Sequence, residues 1–259
     1  MTGDPGLRLA RDGAVAELVL ARPLRQNAMA QAMWRMLFEH CRTIAGDPSV
    51  RVVVVRGEGP SFSAGADIAE FAEVFADEAA AHDYNELVQD ALAALAILPQ
   101  PTIAQITGNC IGGGCGLAVA CDLRFAAADA RLGITPARLG LAYSLGEIKR
   151  LLELVGVARA KDLLFSARLL AAEEALRIGL LDRVVAPGEL GATVRAYVTS
   201  LLALSGNSQR LIKRLTRLIL DGATGETAES RSLRDGAVAH PDFTEGRRAF
   251  LEKRRPRFS

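Results

Sequence analysis

Two short glycine-rich segments are the part of this sequence best suited to chemistry. They are Phe62-Ser63-Ala64-Gly65-Ala66-Asp67 and Gly112-Gly113-Gly114-Cys115-Gly116. Each follows a strand-like apolar run, at residues 52–55 and 103–106, and leads into a helix-like stretch. Glycine allows a sharp turn and lets a ligand approach bare N–H groups. Two such turns on neighbouring strands can aim two backbone donors at one oxygen, which is the geometry of an oxyanion hole.

Both glycine segments also have purely structural explanations. A tight strand-to-helix loop in which Asp67 caps the helix explains the first segment equally well. In the second, three consecutive glycines at a helix start cost about 1 kcal/mol each in helix propensity. Close approach of a ligand to the backbone explains that cost, and packing of the helix on the sheet through a flat glycine face is the competing explanation.

The elements that position these turns follow from the apolar patterns. Residues 7–10 and 15–20 flank Asp12-Gly13, which predicts a β-hairpin. In the first half, strands rich in β-branched residues alternate with helices, which favours an α/β fold with parallel pairing and crossover helices. The second half is predicted as a series of helices with one short strand at residues 181–185.

Composition narrows the class of protein. The 259 residues are 50% hydrophobic with a net charge of +1, so no overall field favours nucleic acid or membrane. No apolar run reaches the roughly 18 residues of a membrane span, and no signal-peptide pattern is seen at the N-terminus. Four cysteines without CxxC spacing and three histidines make a metal site unexpected. We therefore expect a cytoplasmic protein with reduced thiols.

The common catalytic and cofactor signatures are absent from the sequence. No P-loop occurs, and no GxGxxG lies between a strand and a helix. The segment 59–63 lacks the final glycine of a nucleophile elbow, and nothing places a histidine beside Ser61 or Ser63. The oxyanion-hole interpretation of the glycine turns therefore remains the main functional hypothesis.

Several segments together resemble the enoyl-CoA hydratase/isomerase family, also called the crotonase family. The similarity runs from about residue 18 to the C-terminus. It is carried by Arg22-Pro23 with Asn27-Ala28, residues 62–67, 111–115, Cys121-Asp122, 171–185, Glu245-Gly246 and 249–254. The resemblance implies an α/β fold, a crotonase-like spiral of ββα units with a C-terminal helical trimerisation region. It divides the chain into a core with an acyl-CoA site at residues 1–190 and a helical oligomerisation region at 191–259. It also implies a homotrimer or homohexamer.

The resemblance also assigns roles to individual residues. It implies that the thioester carbonyl of an acyl-CoA lies between the backbone N–H groups of Ala66 and Gly113, which stabilise an enolate. Coenzyme A is expected as part of the substrate, with no separate cofactor. The residues implied to contact it are Ala64, Ala66, Asp67, Ile68, Phe250 and Lys253.

The sequence departs from the family at the two glutamates that typical hydratases use. The matching positions are Gly116 and Pro136, so both carboxylates are missing. General acid/base groups contribute about 10²–10⁴-fold to rates, so the standard hydratase mechanism is not expected. The acyl group cannot be deduced from the sequence, although Phe71, Phe75, Leu87, Leu139 and Leu141 are candidates for its pocket.

Tyr143 offers an alternative reaction. It resembles a tyrosine of methylmalonyl-CoA decarboxylase-like members, where loss of CO₂ forms the enolate without a base. A histidine of those enzymes is replaced by Ala66 here. Tyr143 could orient a leaving carboxylate, or it could simply pack at a helix start.

Glu147 lies one helical turn after Tyr143 and is a candidate for a relocated acid/base group. Its structural explanation is a first-turn helix acid, or a partner of Lys149 or Arg150. A non-catalytic CoA-binding protein remains a further alternative. RNA binding by the basic C-terminal run is also open, although the near-neutral charge makes nucleic acid an unexpected partner.

Overall fold

The computed structural model describes residues 6–258 and contains two β-sheets covered by helices. The strands are β1 (Leu7–Asp12), β2 (Val15–Leu20), β3 (Val52–Gly57), β4 (Thr102–Ile106), β5 (Asn109–Ile111), β6 (Leu123–Ala127), β7 (Arg131–Gly133), β8 (Leu169–Ala171) and β9 (Arg183–Val185). The helices are α1 (Gln31–Ala45), α2 (Phe71–Val74), α3 (Glu78–Ala96), α4 (Gly113–Val119), α5 (Leu145–Val155), α6 (Val157–Ser166), α7 (Ala172–Arg177), α8 (Leu190–Leu202), α9 (Gly206–Leu220), α10 (Ala228–Ala239) and α11 (Pro241–Leu251).

The larger sheet has six strands in the order β1-β2-β3-β4-β6-β9. The first two strands form the predicted antiparallel hairpin, with Asp12 opposite Val15 and Gly13 in the left-handed region at φ +54°. All other neighbours in this sheet pair in parallel. The predicted α/β fold with parallel pairing is therefore confirmed.

The smaller sheet has three short strands in the order β5-β7-β8. β4 leads directly into β5 and then α4, and β6 leads into β7 and then α5, so strands alternate between the two sheets before each helix. Sequence patterns did not predict β5, β7 or β8 as separate strands, because each has only three residues. The prediction of a single strand in the second half was wrong, since β8 precedes β9.

The core lies on both faces of the larger sheet. One face packs on α1, α3 and α4 through a large cluster that includes Trp34 and Phe62. The other face packs on α8, where Leu190, Val194 and Val198 contact strand residues such as Val54. Helix α8 thus completes a layer of the α/β core, and the division of the chain at residue 190 stays a prediction.

The C-terminal helices carry exposed apolar side chains. On α9, Ile212 is 63% exposed and Ile219 is 66% exposed. Helix α11, which sequence patterns did not predict, carries Phe250 at 83% exposed. Such faces are typical of a subunit interface, and the trimer or hexamer remains a prediction.

Residues 6–258 contain no helix long and apolar enough to cross a membrane. Within the same range, no group of three or more His, Cys, Asp or Glu side chains could hold a metal ion. Cys41, Cys110, Cys115 and Cys121 are all buried free thiols. Burial raises the pKa of both Cys41 and Cys121 to about 12, so these thiols are poor nucleophiles at neutral pH.

Candidate active site

The first glycine turn is held by a buried asparagine. Asn27 is fully buried at φ +55°, and its Nδ2 group donates to the carbonyl oxygens of Glu58 (2.9 Å) and Ser61 (2.7 Å). Its Oδ1 accepts from the Arg22 amide at 2.9 Å. These bonds give a physical reason for the Arg22-Pro23…Asn27-Ala28 pattern, because one amide side chain ties two loops together.

Ala66 lies in this turn with its amide unused. The Met29 amide donates to Gly65 O at 2.7 Å, and the Asp67 amide donates to Met29 O at 2.9 Å. The residue between these two bonds, Ala66, makes no backbone hydrogen bond through its N–H within residues 6–258. The two hydrogen bonds with Met29 therefore fix the direction of the Ala66 N–H and leave it available to a ligand.

The second turn brings the other amide beside it. Gly112 has φ +52° and ψ −122°, a conformation reserved for glycine, and Gly113 is the first residue of α4. A Cβ atom placed on Gly113 would lie 3.5 Å from Ala66 N, and both residues line the same cavity. Like Ala66, Gly113 has an N–H without an acceptor in the described part of the chain. The predicted pair of backbone donors is thus adjacent.

The three glycines of the second turn have different roles. Gly112 provides the unusual backbone angles, and Gly113 lines the cavity. Gly114 packs so tightly that a Cβ atom there would lie 2.7 Å from Ser63 Cβ. Of the two explanations that the sequence left open, ligand access therefore fits Gly113 and close packing fits Gly114.

A cavity of about 400 Å³ opens over the two amides. Of the predicted pocket residues, Phe71, Phe75, Leu139 and Leu141 line it, and Leu87 does not. Trp34, which the sequence analysis did not single out, lies with its ring edge against Gly113. The helical apolar pattern of α1 was the available signal for it, because Trp34 shares the buried side of that helix with Leu37.

Only some of the residues implied to contact CoA line the cavity. Ala64, Ala66 and Ile68 line the cavity. Phe250 and Lys253 lie outside its lining, at and just after the end of α11. The CoA-binding roles of all these residues remain predictions.

Asp67 faces Arg22 rather than the cavity. Arg22 Nη1 lies 2.8 Å from Asp67 Oδ2, and the Ala69 amide donates to Asp67 Oδ1 at 3.2 Å. Burial acts to raise the pKa of Asp67, but the Arg22 and Ala69 hydrogen bonds outweigh it and hold the pKa below its usual range. The capping role considered for Asp67 is therefore observed, and its contact with CoA remains a prediction.

Tyr143 lines the cavity, but its hydroxyl already has a partner. Tyr143 Oη donates to the carbonyl oxygen of Gly112 at 2.5 Å. Burial raises the pKa of Tyr143 well above its ordinary value, with nearby Cys115 and Glu147 adding to the rise. The hydroxyl is therefore a protonated donor committed to the backbone.

Glu147 combines a structural role with a place in the cavity. Its Oε2 accepts from the Ser144 amide (3.0 Å) and hydroxyl (2.9 Å), and together they form a capping box at the start of α5. The side chain is only 8% exposed and lines the cavity. The suggested pairing with Lys149 is not observed, because Lys149 contacts Asp221 and Glu153.

The free oxygen of Glu147 occupies space next to Gly116. A Cβ atom placed on Gly116 would lie 3.0 Å from Glu147 Oε1. Gly116 is the position where the family resemblance puts the first glutamate. Pro136, the position of the second, lines the cavity at the start of a short 3₁₀ turn. The carboxylate of Glu147, which belongs to α5, thus lies close to Gly116 on α4, where the resemblance puts the first glutamate.

Comparisons with known proteins show the family and the fold of the chain. A family model for enoyl-CoA hydratase/isomerase matches residues 10–259. The chain is 34% identical over 255 residues to crotonyl-CoA hydratase of Syntrophomonas wolfei, covering 96% of each chain. It is 33% identical over 250 residues to short-chain-enoyl-CoA hydratase of Clostridium acetobutylicum, covering 95% of each. A solved structure from the enoyl-CoA hydratase/isomerase family of Hyphomonas neptunium has a TM-score of 0.95 at 40% identity, covering 98% of this chain and 97% of that one.

Proposed function

Since the chain belongs to the enoyl-CoA hydratase/isomerase family, whose members act on acyl-CoA, we propose that it hydrates an enoyl-CoA thioester with Glu147 as its acid/base group. The fold is the α/β crotonase fold with C-terminal helices. The observation that carries the proposal is the position of Glu147 Oε1, 3.0 Å from where a Cβ of residue 116 would lie.

The two backbone amides supply the electrostatic part of the mechanism. The thioester oxygen accepts from Ala66 N–H and Gly113 N–H and gains negative charge as the enolate forms. Preorganised donors of this kind stabilise the charge without reorganising at the moment of reaction. The N-terminus of α4 lies behind Gly113 and adds to the stabilisation.

Glu147 supplies the proton transfers. Its carboxylate takes a proton from water as the oxygen adds to the carbon β to the thioester, and the protonated Glu147 then gives that proton to the α-carbon of the enolate. Water is thereby added across the double bond, with no net change in the protonation of Glu147. Because a single group carries both transfers, we expect slower hydration than in relatives with two glutamates, by about two orders of magnitude.

Double-bond isomerisation is a second candidate. Glu147 is the one buried carboxylate among the described residues that line the cavity, since the other, Glu86, is exposed. Shifting a double bond needs one group that removes a proton from carbon and returns it to another carbon. A single carboxylate above the substrate is sufficient for that step.

The decarboxylase alternative has less support. It requires a group that holds the leaving carboxylate, and the Tyr143 hydroxyl already donates to Gly112 O. The charged side chains found along the cavity in residues 6–258 are Glu86 and Glu147, both of which repel a carboxylate.

A Glu147→Gln variant tests the proposal. Glutamine can keep the capping box with Ser144, because it also accepts from the N-cap amide, but it cannot carry the proton. We expect the rate of crotonyl-CoA hydration to fall about 10²–10⁴-fold, with the melting temperature nearly unchanged. The loss of enoyl absorbance measures this rate.

The matched control is Glu153→Gln, also on α5 but outside this cavity. It should retain wild-type turnover. Hydration that survives Glu147→Gln at the wild-type rate would exclude Glu147 as the acid/base group. A wild-type protein that binds CoA thioesters and turns over none of the enoyl or malonyl types would instead support the non-catalytic alternative.

A further inference from the structure

The peptide unit between Gly112 and Gly113 connects two groups of the site. Its C=O accepts a hydrogen bond from the Tyr143 hydroxyl, and its N–H is the Gly113 donor. Tyr143 Oη donates to Gly112 O at 2.5 Å, and Gly112 C=O is bonded to Gly113 N–H through a planar trans peptide. In such a unit the C=O and the N–H point in opposite directions. Fixing the direction of the Gly112 carbonyl therefore also fixes the direction of the Gly113 N–H.

Two hydrogen bonds hold the orientation of this peptide, one from the backbone of α4 and one from a side chain. Gly112 has no Cβ and adopts φ +52° and ψ −122°, so its own side chain imposes no preference on the following peptide. The Gly112 amide is tied to Gly133 O at 2.8 Å, and the Gly116 amide donates to Gly112 O at 3.0 Å. Among side chains in residues 6–258, Tyr143 is the one that bonds this carbonyl.

We infer that Tyr143 is a positioning residue for the oxyanion hole: its hydroxyl holds the Gly112–Gly113 peptide so that the Gly113 N–H points at the thioester oxygen. The inference rests on the proposed function of the Ala66 and Gly113 amides. Donation to the carbonyl oxygen also polarises the peptide, which makes its N–H a stronger donor, since hydrogen bonds in a chain reinforce one another.

The same short segment then supplies two parts of the machinery. Tyr143 precedes α5, and Glu147 lies in its first turn, four residues later. The segment orients one oxyanion donor through Tyr143 and places the proposed acid/base group through Glu147. This explains why a tyrosine that lines the cavity has its hydroxyl bonded to the backbone.

The test is the carbonyl stretching band of a bound acyl-CoA in Tyr143→Phe. Butyryl-CoA labelled with ¹³C at the thioester carbonyl is suitable, because a saturated acyl group cannot be hydrated. In the wild type, the oxyanion donors should shift the band to lower frequency on binding. In Tyr143→Phe we expect a clearly smaller shift, a kcat for crotonyl-CoA lower by about tenfold, and a butyryl-CoA affinity within about twofold of the wild type.

Tyr197→Phe is the matched control, because Tyr197 packs on Phe125 and Arg183 and lies outside the cavity lining. It should leave the band shift and kcat unchanged. Melting temperatures confirm that each variant is folded.

The outcomes separate the two ideas. An equal band shift in wild type and Tyr143→Phe overturns the positioning role and leaves the oxyanion hole intact. The absence of any shift in the wild type overturns the oxyanion hole and the proposed function with it. A loss of affinity in Tyr143→Phe with an unchanged band shift also contradicts the inference, because it indicates a role in packing the acyl group.

Discussion

Two of the regions that line the cavity are built in different ways. The glycine wall, residues 64–66 and 112–113, presents backbone amides and rests on buried residues such as Phe62 and Cys115. The side-chain wall, residues 135–147, lies mostly in an irregular segment where Leu139 is 52% exposed and Leu141 is 39% exposed. Hydrogen bonds between strands and turns hold the first wall, whereas the second depends on caps and single side-chain contacts.

The two walls differ in what they depend on. The glycine wall depends on the fold of the backbone, and the side-chain wall depends on the identity of particular residues. Backbone donors need no particular side chain, so the donor pair proposed for the glycine wall depends on the path of the backbone and not on residue type. Proton transfer needs a specific group, and the family resemblance matches the two glutamate positions of typical hydratases to Gly116 and Pro136. The side-chain wall offers Glu147 instead. Family membership therefore describes the first wall better than the second.

The largest expected effect comes from removing a donor of the glycine wall with Gly113→Pro. Proline is tolerated at the first position of a helix, which Gly113 occupies in α4, but it has no N–H. The added ring also approaches Trp34, whose Cζ2 would lie 3.3 Å from a Cβ there. Gly113→Ala has the same Cβ and keeps the N–H, so the comparison controls for the contact of the Cβ with Trp34. We expect kcat of the proline variant to be about 10²–10³-fold below that of the alanine variant.

Turnover numbers and circular dichroism of both Gly113 variants provide the measurement. Equal activity in two folded variants would mean that the glycine wall contributes no donor at this position, and the contrast between the walls would disappear.

A smaller effect is expected from restoring the family's first glutamate with Gly116→Glu. Its Cβ would lie 3.0 Å from Glu147 Oε1 and 3.7 Å from Leu92 Cδ1, so the new side chain is crowded and meets a like charge. We expect a loss of about 1–3 kcal/mol in the free energy of unfolding, measured by urea denaturation, without faster hydration.

The double variant Gly116→Glu with Glu147→Ala sharpens this comparison, because it removes the crowding and the repulsion. It should recover part of the lost stability and hydrate crotonyl-CoA better than Glu147→Ala alone. A single Gly116→Glu variant that is stable and faster than the wild type would show that the two walls do not compete for the same space.

The smallest effect concerns the charge of the acyl group. Glu86 and Glu147 are acidic, and the aromatic side chains Trp34, Phe71 and Phe75 make much of the remaining surface apolar. We expect kcat/KM for an uncharged short enoyl-CoA to exceed that for an enoyl-CoA with a free terminal carboxylate by about tenfold or more. Steady-state kinetics with a matched pair of chain lengths measures this, and a preference for the carboxylated substrate would contradict it.

The glycine wall could be predicted from the sequence because its signals are local. A β-branched strand followed by glycines indicates a turn, and the hairpin β1–β2 and strands β3 and β4 agree with their patterns within a few residues. Two such turns on neighbouring strands predicted a pair of backbone donors, and the family resemblance identified these donors as Ala66 and Gly113.

The side-chain wall could be predicted only in part. The candidates Tyr143 and Glu147 were found, but their partners were not, because Gly112 and Gly116 are distant in sequence and meet them only through the fold. The three-residue strands β7 and β8 were missed for the same reason, since pairing across the chain, and not local propensity, defines them.

Trp34 gives the molecule a built-in optical signal. It is the chain's single tryptophan, it is 1% exposed, and its ring lies against the first residue of α4. All tryptophan fluorescence of the protein therefore originates beside Gly113, whose amide is one of the two proposed donors. A thioester that enters the cavity changes the polarity around that one indole, so its binding can be followed in the unlabelled protein even when no bond is made or broken.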